Sequence, residues 1–419
     1  MIETEKSLKH IMKTALEAAM PKDKFKFIPE KPTGKLIVLG AGKAAASMAY
    51  EFEKSYDFPI EGIVITRYGH YTKTKFVKVI EASHPVPDQA GLDATKKLFN
   101  LAKSATNQDH VVFLISGGAS SLLTLPLDGI TFEEKQKISL ELLRSGAPIN
   151  EMNIVRRSLS QIKGGRLAEV IYPAKVTTYM ISDIPGDDPS HIGSGPTIQA
   201  TGKNEDSIAI LRKYKINISP KIEEIILRHT LPELIDASMY MISTPMMALK
   251  AAARTAEIEG YIPIILSDAL EGEASTEGRK MAELALDIQK NKKYNDIYLK
   301  KPILLLSGGE TTVTVKGNGR GGRNSEFMLS MAIALKENKN IDALAIDTDG
   351  IDGVEDNAGA YISSNTLNKA KSNNLNSIDY LMNNDAYSFF EAIGDLIITS
   401  PTLTNVNDFR AVLIRPKNY

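Results

Sequence analysis

The chain has 419 residues, of which 43% are apolar and 24% charged, and its formal net charge is −1. These values are typical of a folded protein of about two domains and exclude an overall basic field that would collect nucleic acid or anionic lipid. The absence of cysteine excludes disulfides, thiolate nucleophiles and thiolate metal sites, and is compatible with a reducing cytoplasm.

The first twenty residues carry a charge every few positions, which predicts an amphipathic helix rather than a signal peptide. No run of about 18 uncharged apolar residues occurs, so no membrane span is expected. We therefore expect a cytoplasmic protein whose partner is neither a membrane nor a nucleic acid.

Short apolar runs alternate with helical patterns through the first half, which indicates an α/β fold around a largely parallel sheet. The predicted strands are residues 36–40, 62–66, 76–80, 111–116 and 176–182, and two predicted helices are residues 132–144 and 156–170.

A second α/β series follows a boundary that we place after residue 235, giving domains 1–235 and 236–419. It comprises a helix at 245–260, a strand at 261–267, a helix at 273–289 and a strand at 302–307. Residues 311–315 follow at once, which predicts a hairpin and a mixed second sheet.

Glycine-rich polar segments come directly after the predicted strands, where open α/β sheets bind ligands. The first is GAGKAA at 40–45, in which Gly40 and Gly42 would let the backbone approach an anion and Lys43 would add a charge. It is neither a GxGxxG nor a Walker A motif, and a tight turn with a solvated lysine is the alternative.

SGGASSLL at 116–123 has the same arrangement of strand, small polar loop and helix. Its candidate binding residues are Ser116, Gly117, Gly118 and Ser120, and a capped helix start is the alternative. A serine nucleophile is disfavoured because the Gly-x-Ser-x-Gly turn is missing.

Residues 153–168 place Asn153, Arg156, Lys163 and Arg166 close together, a pattern that suits an anionic substrate or, alternatively, a solvated helix face. Two glycines, at 164 and 165, would each cost roughly 1 kcal/mol inside a helix. Close approach of a ligand or of another chain segment would explain them.

The loop at 182–197 is long and rich in glycine, proline and aspartate, which is typical of a functional loop. Asp183 is its best-placed carboxylate. Gly193, Ser194 and Gly195 are candidates for an anion-binding nest.

The segment at 307–326 is the most distinctive, with Gly309 and Glu310 after a strand and a GNGRGGRN run before a helix that starts near Asn324. Amide groups, two guanidiniums and a helix terminus predict a polyphosphate clamp; a flexible hairpin tip is the alternative. The candidate nucleotide-binding residues in this half are Gly309, Glu310, Gly321, Gly322, Asn324, Asn405 and Asn407, with Arg323 as a catalytic candidate.

An acidic segment at 347–360 follows another predicted strand. Magnesium takes a few carboxylates together with phosphate oxygens, so Asp349, Asp352 and Glu310 are the candidate ligands. The spacing does not fit a calcium-binding EF-hand loop. Anion-binding loops beside a carboxylate cluster favour phosphoryl transfer.

Nine ordered segments give the chain a resemblance, almost end to end, to the glycerate kinases of the MOFRL type. They are GAGKAA, HPVPD, SGGASSLL, the 153–166 stretch, SDIPGDD with GSGPT, GGETTVTV, GRGGRN, TDGIDG and TNVND. The resemblance implies a Rossmann-like N-terminal domain, a C-terminal mixed-sheet domain and an active site in the cleft between them. It also implies ATP, Mg²⁺ or another divalent cation, D-glycerate as the substrate, and Lys43 and Arg323 as key groups; it allows a homodimer.

The mechanism expected from this resemblance is in-line transfer of the γ-phosphoryl group to the 2-hydroxyl of glycerate. Asp183 is our candidate proton acceptor, with Asp349 as the alternative, and Arg156 or Arg166 would hold the substrate carboxylate. A kinase that forms 3-phosphoglycerate, a hydroxypyruvate reductase and a non-catalytic phosphometabolite-binding regulator are the alternative functions.

Overall fold

The computed structural model describes residues 2–200, 204–232 and 237–416. Within these ranges the chain forms two compact units. We call residues 21–242 the central unit, and residues 2–20 with 243–416 the terminal unit. The boundary predicted between residues 235 and 236 lies outside the described residues.

The central unit is built on one six-stranded sheet with helices along the chain between its strands. Its strands are β1 (Leu36–Ala41), β2 (Ile60–Arg67), β3 (Val77–Ala82), β4 (His110–Ile115), β5 (Lys175–Ile181) and β6 (Ala237–Ser243). Its helices are α2 (Ala45–Lys54), α3 (Gln89–Lys103), α4 (Ala119–Leu122), α5 (Phe132–Arg144), α6 (Ile149–Ser158), α7 (Arg166–Ile171), α8 (Asn204–Lys213) and α9 (Pro220–Arg228).

The strand order is β3-β2-β1-β4-β5-β6, and β1 to β5 pair in parallel. This is the doubly wound, Rossmann-like order, in which the chain reverses direction along the sheet between β1 and β4. Every residue of β1 is buried, as expected for a strand covered by helices on both faces. The predicted α/β fold and parallel sheet are confirmed.

The predicted helix at 156–170 is wrong, because the structure has two helices with an irregular segment between them. α6 ends at Ser158 and α7 begins at Arg166. Gly164 and Gly165 have φ values of +67° and +88°, which a continuing helix does not allow.

The terminal unit is built on a mixed sheet of order β13-β12-β11-β14-β10-β7. Its strands are β7 (Ile262–Glu273), β8 (Lys293–Tyr294), β9 (Ile297–Tyr298), β10 (Ile303–Thr312), β11 (Ile341–Asp347), β12 (Gly359–Ile362), β13 (Leu396–Ile397) and β14 (Asp408–Ile414). Its helices are α1 (Ile2–Ala19), α10 (Pro245–Ile258), α11 (Ala274–Asn291), α12 (Arg323–Leu335), α13 (Thr366–Ser372), α14 (Ser377–Met382) and α15 (Ala386–Ile393).

The predicted mixed sheet is confirmed, but the predicted hairpin after residue 307 is wrong. β10 continues through the two glycines to Thr312 and pairs in parallel with β7 over its length. Gly309 lies at an irregularity in this pairing, with a φ of +99°, and a Cβ there would lie 2.1 Å from the backbone nitrogen of Leu270. The glycine therefore permits a close strand approach rather than a turn.

The predicted N-terminal amphipathic helix is confirmed as α1, and it belongs to the terminal unit. Leu8 and Ile11 on its apolar face are fully buried. Thr404 donates a hydrogen bond to the carbonyl of Ala19 at its end. Among the described helices, none combines the length and the apolar character that a membrane crossing requires.

Candidate functional site

The turns after β1 and β4 meet at the carboxyl edge of the central sheet, where the strand order reverses. Ala41, the last residue of β1, lies opposite Ile115, the last residue of β4. The segments carrying Lys43 and Ser116 are thus neighbours, at the edge where open α/β sheets bind ligands.

Backbone amides in the turn after β1 are bonded within the protein. The amide of Lys43 donates to the carbonyl of Gly117 at 2.8 Å, and that of Ala44 donates to Oγ of Ser116 at 3.0 Å. A Cβ on Gly42 would lie 2.1 Å from the same Oγ, so this glycine allows the two turns to touch. Apart from the N-terminus of α2, the main group that this turn can present to a ligand is the half-buried side chain of Lys43.

Gly164 and Gly165 accommodate another chain segment, one of the two explanations proposed from the sequence. Their amides donate to the carbonyls of Ser194 and Gly195 at 3.0 and 2.8 Å. Oγ of Ser194 then donates to Asn153 at 2.9 Å and lies 3.2 Å from Oγ of Ser120. These contacts join the loop after β5 to α4 and α6.

A Cβ on Gly193 would lie 2.6 Å from Cδ1 of Ile115, so this glycine also allows close packing. Gly118, in the turn after β4, has a φ of +83°, and its Cβ position lies 3.3 Å from Cγ of Lys43. Gly40 and Gly117 lie at the same edge of the sheet, in β1 and in the turn after β4.

The basic residues at 156–166 have different surroundings. Arg166 is buried and donates to the backbone carbonyls of Arg157 and Ser160 at 2.6 and 2.9 Å. Arg156 and Lys163 instead line a pocket of the central unit, and Nζ of Lys163 donates to the carbonyl of Leu123 at 2.7 Å.

Positive charge dominates this edge of the central sheet. Burial, and after it the charges of Lys43, Arg67 and Arg156, lower the pKa of His84 to about 3. Burial also lowers the pKa of Lys163, as do Lys135 and Arg156. His84 is therefore neutral at pH 7, and the lysine and arginine side chains around it favour an anionic ligand.

Asp183 lies two residues beyond the end of β5 and is half-buried. Because β5 adjoins β4, this carboxylate is at the same carboxyl edge as the turn that carries Ser116.

In the terminal unit, Arg323 is the first residue of α12 and lies among three carboxylates. Its guanidinium contacts Asp408 at 2.9 Å, Asp347 at 2.7 Å and Glu310 at 3.4 Å. Burial lowers the pKa of Arg323, but these carboxylates outweigh it, and the pKa lies well above the ordinary value. The Arg323 side chain is 20% exposed, so part of it is accessible to a ligand.

Asp408 links this cluster to a second arginine. Its Oδ2 accepts a hydrogen bond from the fully buried Arg410, and its Oδ1, which Arg323 contacts, also accepts one from Nδ2 of Asn324 at 2.8 Å. The same unit also contributes Asp349 and Asp352. The carboxylates therefore outnumber the two arginines and the net charge of this cluster is negative, whereas the charged groups around Lys43 in the central unit are mainly positive.

Asp352 caps helix α12. Its oxygens accept hydrogen bonds from the amides of Asn324 and Ser325 at 2.9 and 2.8 Å, and from Oγ of Ser325 at 2.6 Å. A Cβ on Gly322 would lie 2.3 Å from Oδ1 of Asp352, so the glycine lets the carboxylate approach. Burial raises the pKa of Asp352 to about 6.

The loop before α12 is ordered by other residues of the terminal unit. Amides of Lys316 and Gly317 donate to Asn384 at 2.7 and 3.0 Å, and that of Gly319 donates to the carbonyl of Asn383 at 3.0 Å. Arg320 pairs with Glu355 at 2.5 Å. These loop groups therefore form hydrogen bonds or ion pairs within the protein. Gly321 and the start of α12 are the part of the loop that adjoins Arg323 in the sequence.

Asn405 and Asn407 are buried in the segment that leads into β14. Oγ1 and the amide of Thr348 both donate to the carbonyl of Asn407. This ties the segment to the residue between Asp347 and Asp349.

Within the described ranges, no three acidic or histidine side chains converge closely enough to hold a metal ion by themselves. Mg²⁺ in nucleotide sites often takes only one or two carboxylates, with phosphate oxygens and water completing the shell. Of the predicted ligands, Asp352 is engaged by α12, whereas Glu310 is 53% exposed. The negative balance of the cluster fits a cation that arrives with a nucleotide.

Several residues of these clusters were not selected from the sequence as site residues. Asp347 and Asp408 stand out in the sequence only as parts of motifs, although Asp347 ends β11 and Asp408, which begins the antiparallel β14, lies opposite it. Lys135 is not among the residues predicted from the sequence. It lies on the apolar face of α5 with Ile138 and Leu142, and the i, i+3, i+7 spacing of these three residues is a signal that Lys135 is buried.

Two family models match the chain. Residues 7–227 match a domain of unknown function (DUF4147), which spans more than half of the chain, and residues 303–408 match the MOFRL family. The D-glycerate 2-kinase of Thermotoga maritima is 39% identical over 96% of this chain and 97% of that protein. The chain belongs to the MOFRL glycerate kinase family.

Other comparisons agree with this family over nearly the whole chain. The crystal structure of glycerate kinase from Thermotoga maritima has a TM-score of 0.90 and 38% identity, covering 99% of this chain and 100% of that one. A protein from Agrobacterium vitis, provisionally named hydroxypyruvate reductase, is 43% identical over 99% of this chain and 95% of its own length. Names within the glycerate kinase family thus refer to two different reactions.

Proposed function

We propose that this chain uses ATP to phosphorylate D-glycerate on its 2-hydroxyl, forming 2-phosphoglycerate in the cytoplasm. The observation that carries the proposal is the presence of two clusters of opposite charge, one in each unit, in a member of this family. The central unit gathers cations that suit an anionic acid, and the terminal unit gathers carboxylates that suit a cation bound to phosphates.

In the central unit, Arg156 is the preferred group for the substrate carboxylate, because Arg166 is committed to backbone carbonyls while Arg156 lines a pocket. Lys43 stabilises charge on the transferring phosphoryl group. Asp183 is preferred over Asp349 as the proton acceptor, since it belongs to the unit that would bind the acid.

In the terminal unit, Glu310 and Asp349 would hold Mg²⁺ together with the phosphates of ATP, and the cation would neutralise phosphate charge. Arg323, held by Asp347 and Asp408, presents a fixed guanidinium to the nucleotide. The start of α12 adds a partial positive charge beside it.

A hydroxypyruvate reductase is the second candidate, favoured by the provisional name of the Agrobacterium relative. Two observations oppose it. The amides of Lys43 and Ala44, where a dinucleotide pyrophosphate would bind, donate to Gly117 and Ser116 instead. β2 ends at Arg67 rather than at an acidic residue that would bind the ribose.

The deciding experiment is a coupled assay with purified protein, Mg–ATP and D-glycerate. Enolase accepts 2-phosphoglycerate, so phosphoenolpyruvate should form without added phosphoglycerate mutase. Formation that depends on the mutase would show phosphorylation of the 3-hydroxyl. NADH oxidation with hydroxypyruvate, without ATP-dependent formation of ADP, would overturn the kinase proposal in favour of the reductase.

A further inference from the structure

The pocket beside Arg156 lies wholly within the central unit and has a volume of about 40 Å³. Polar side chains surround much of it: Ser120, Ser121, Thr124, Lys135, Gln136, Ser139, Arg156 and Lys163. Its titratable groups are the two lysines and Arg156, and no carboxylate is among the described residues that line it.

Lys135 reaches this pocket from an unusual position. It lies on the buried face of α5 with Ile138 and Leu142, and only 6% of it is exposed. Its Nζ has no hydrogen-bond partner within the described residues. Nζ of Lys163, by contrast, donates to the carbonyl of Leu123.

An ammonium group buried in this way is unfavourable unless something pairs with it. Burial lowers the pKa of Lys135 to about 7, and Lys135 and Arg156 both lower the pKa of Lys163. Lys135 and Arg156 thus both disfavour a positive charge on Lys163, and a small anion in the pocket would relieve this repulsion.

We propose that Lys135 is a substrate-binding residue that holds the carboxylate of the hydroxy-acid substrate together with Arg156 and Lys163. The inference rests on the proposed function and adds a residue to its substrate site. The pocket has room for a carboxylate group, and its serine and threonine hydroxyls can bind the substrate's hydroxyl groups.

The test compares Lys135→Met, which removes the charge but keeps an unbranched apolar stem, with Lys137→Met. Lys137 lies on the same helix with a 74% exposed side chain, so it is a matched control. Lys135→Met should raise KM for D-glycerate about 10- to 100-fold, the scale of losing a charged hydrogen bond, while KM for ATP stays unchanged. Lys135→Arg should recover part of the loss.

Calorimetry of D-glycerate binding without ATP separates this inference from the proposed function. Weaker binding by Lys135→Met than by wild type and Lys137→Met would support the inference even if no phosphorylation were detected. Equal binding by a folded Lys135→Met protein would overturn the inference and leave the kinase proposal intact. Failure of the wild type to bind D-glycerate would overturn both.

The pH dependence gives a readout that a structural role would not produce. Because the protonated lysine binds the carboxylate, kcat/KM for D-glycerate should fall as pH rises through about 7 in the wild type. This step should be absent in Lys135→Met and Lys135→Arg. A step that persists unchanged in both variants would argue against Lys135.

Discussion

Lys43 and Arg323 carry their charges in opposite surroundings. The region around Lys43 also contains Arg67 and Arg156, and all three charges lower the pKa of the half-buried His84. Arg323 instead contacts three carboxylates. Removing either charge should impair catalysis, but the consequences for stability should differ.

We expect Lys43→Ala to lower kcat on the order of 10²-fold or more without a loss of stability, because it removes a transition-state charge from a cationic region. Arg323→Ala should lower kcat similarly and also destabilise the fold by about 3–5 kcal/mol, since the buried carboxylates of Asp347 and Asp408 lose a charged partner. Steady-state kinetics and urea unfolding measure both. Wild-type activity in a folded Lys43→Ala protein would remove Lys43 from the mechanism.

The burial of Lys135 predicts that the stability difference between the wild type and Lys135→Met depends on pH. The unfolded lysine has a pKa of 10.5 and the folded one about 7, so between these values the unfolded chain binds the extra proton and wild-type stability rises with pH. Lys135→Met lacks this dependence. Its stability advantage should be largest at or below pH 7 and should shrink by about 1.4 kcal/mol per pH unit above it.

Urea unfolding of both proteins at pH 7, 8 and 9 would check this, since other titrating groups cancel in the difference. A constant difference across this range would contradict the burial of an unpaired ammonium.

At the scale of elements, the start of α12 is organised from outside the helix. Its capping carboxylate, Asp352, comes from a loop 28 residues away from Asn324 along the chain. This cap sets the position of the first turn of the helix, and Arg323 is the first residue of that turn.

Asp352→Ala should therefore destabilise the protein by about 2–4 kcal/mol through loss of hydrogen bonds to a buried carboxylate. The loss should be the same with excess EDTA as with Mg²⁺, because a cap needs no metal. Thermal unfolding under both conditions is the measurement, with Asp356→Ala as a control in the same loop. A loss seen only with Mg²⁺ would identify Asp352 as a metal ligand instead.

On the scale of the whole molecule, the first helix belongs to the same compact unit as the last strand. Besides the buried Leu8 and Ile11, Oγ of Ser7 lies 2.8 Å from the hydroxyl of Tyr261, and His10 contacts Glu259 at 2.6 Å. The terminal unit therefore depends on both ends of the chain.

Ile11→Ala should destabilise the terminal unit by about 2–5 kcal/mol, through lost burial and a cavity. Hydrogen exchange followed by peptide mass spectrometry should show faster exchange in β10, β11 and β14, with the central sheet less affected. Lys13→Ala, on the exposed face of α1, is the matched control. Equal acceleration in both units would show that they unfold as one cooperative body.

The sequence by itself determined the α/β class, the central strands and the family, because apolar runs, glycine positions and ordered motifs are local features of the chain. It also selected Lys43 and Arg323 and explained the glycines at 164 and 165 as points of close approach. Long-range contacts decided the rest: Gly309 permits strand pairing rather than a turn, Asp352 caps a distant helix, and Lys135 is buried at a pocket that other segments also line. Such roles depend on which segments meet in space, and local periodicity does not encode that information.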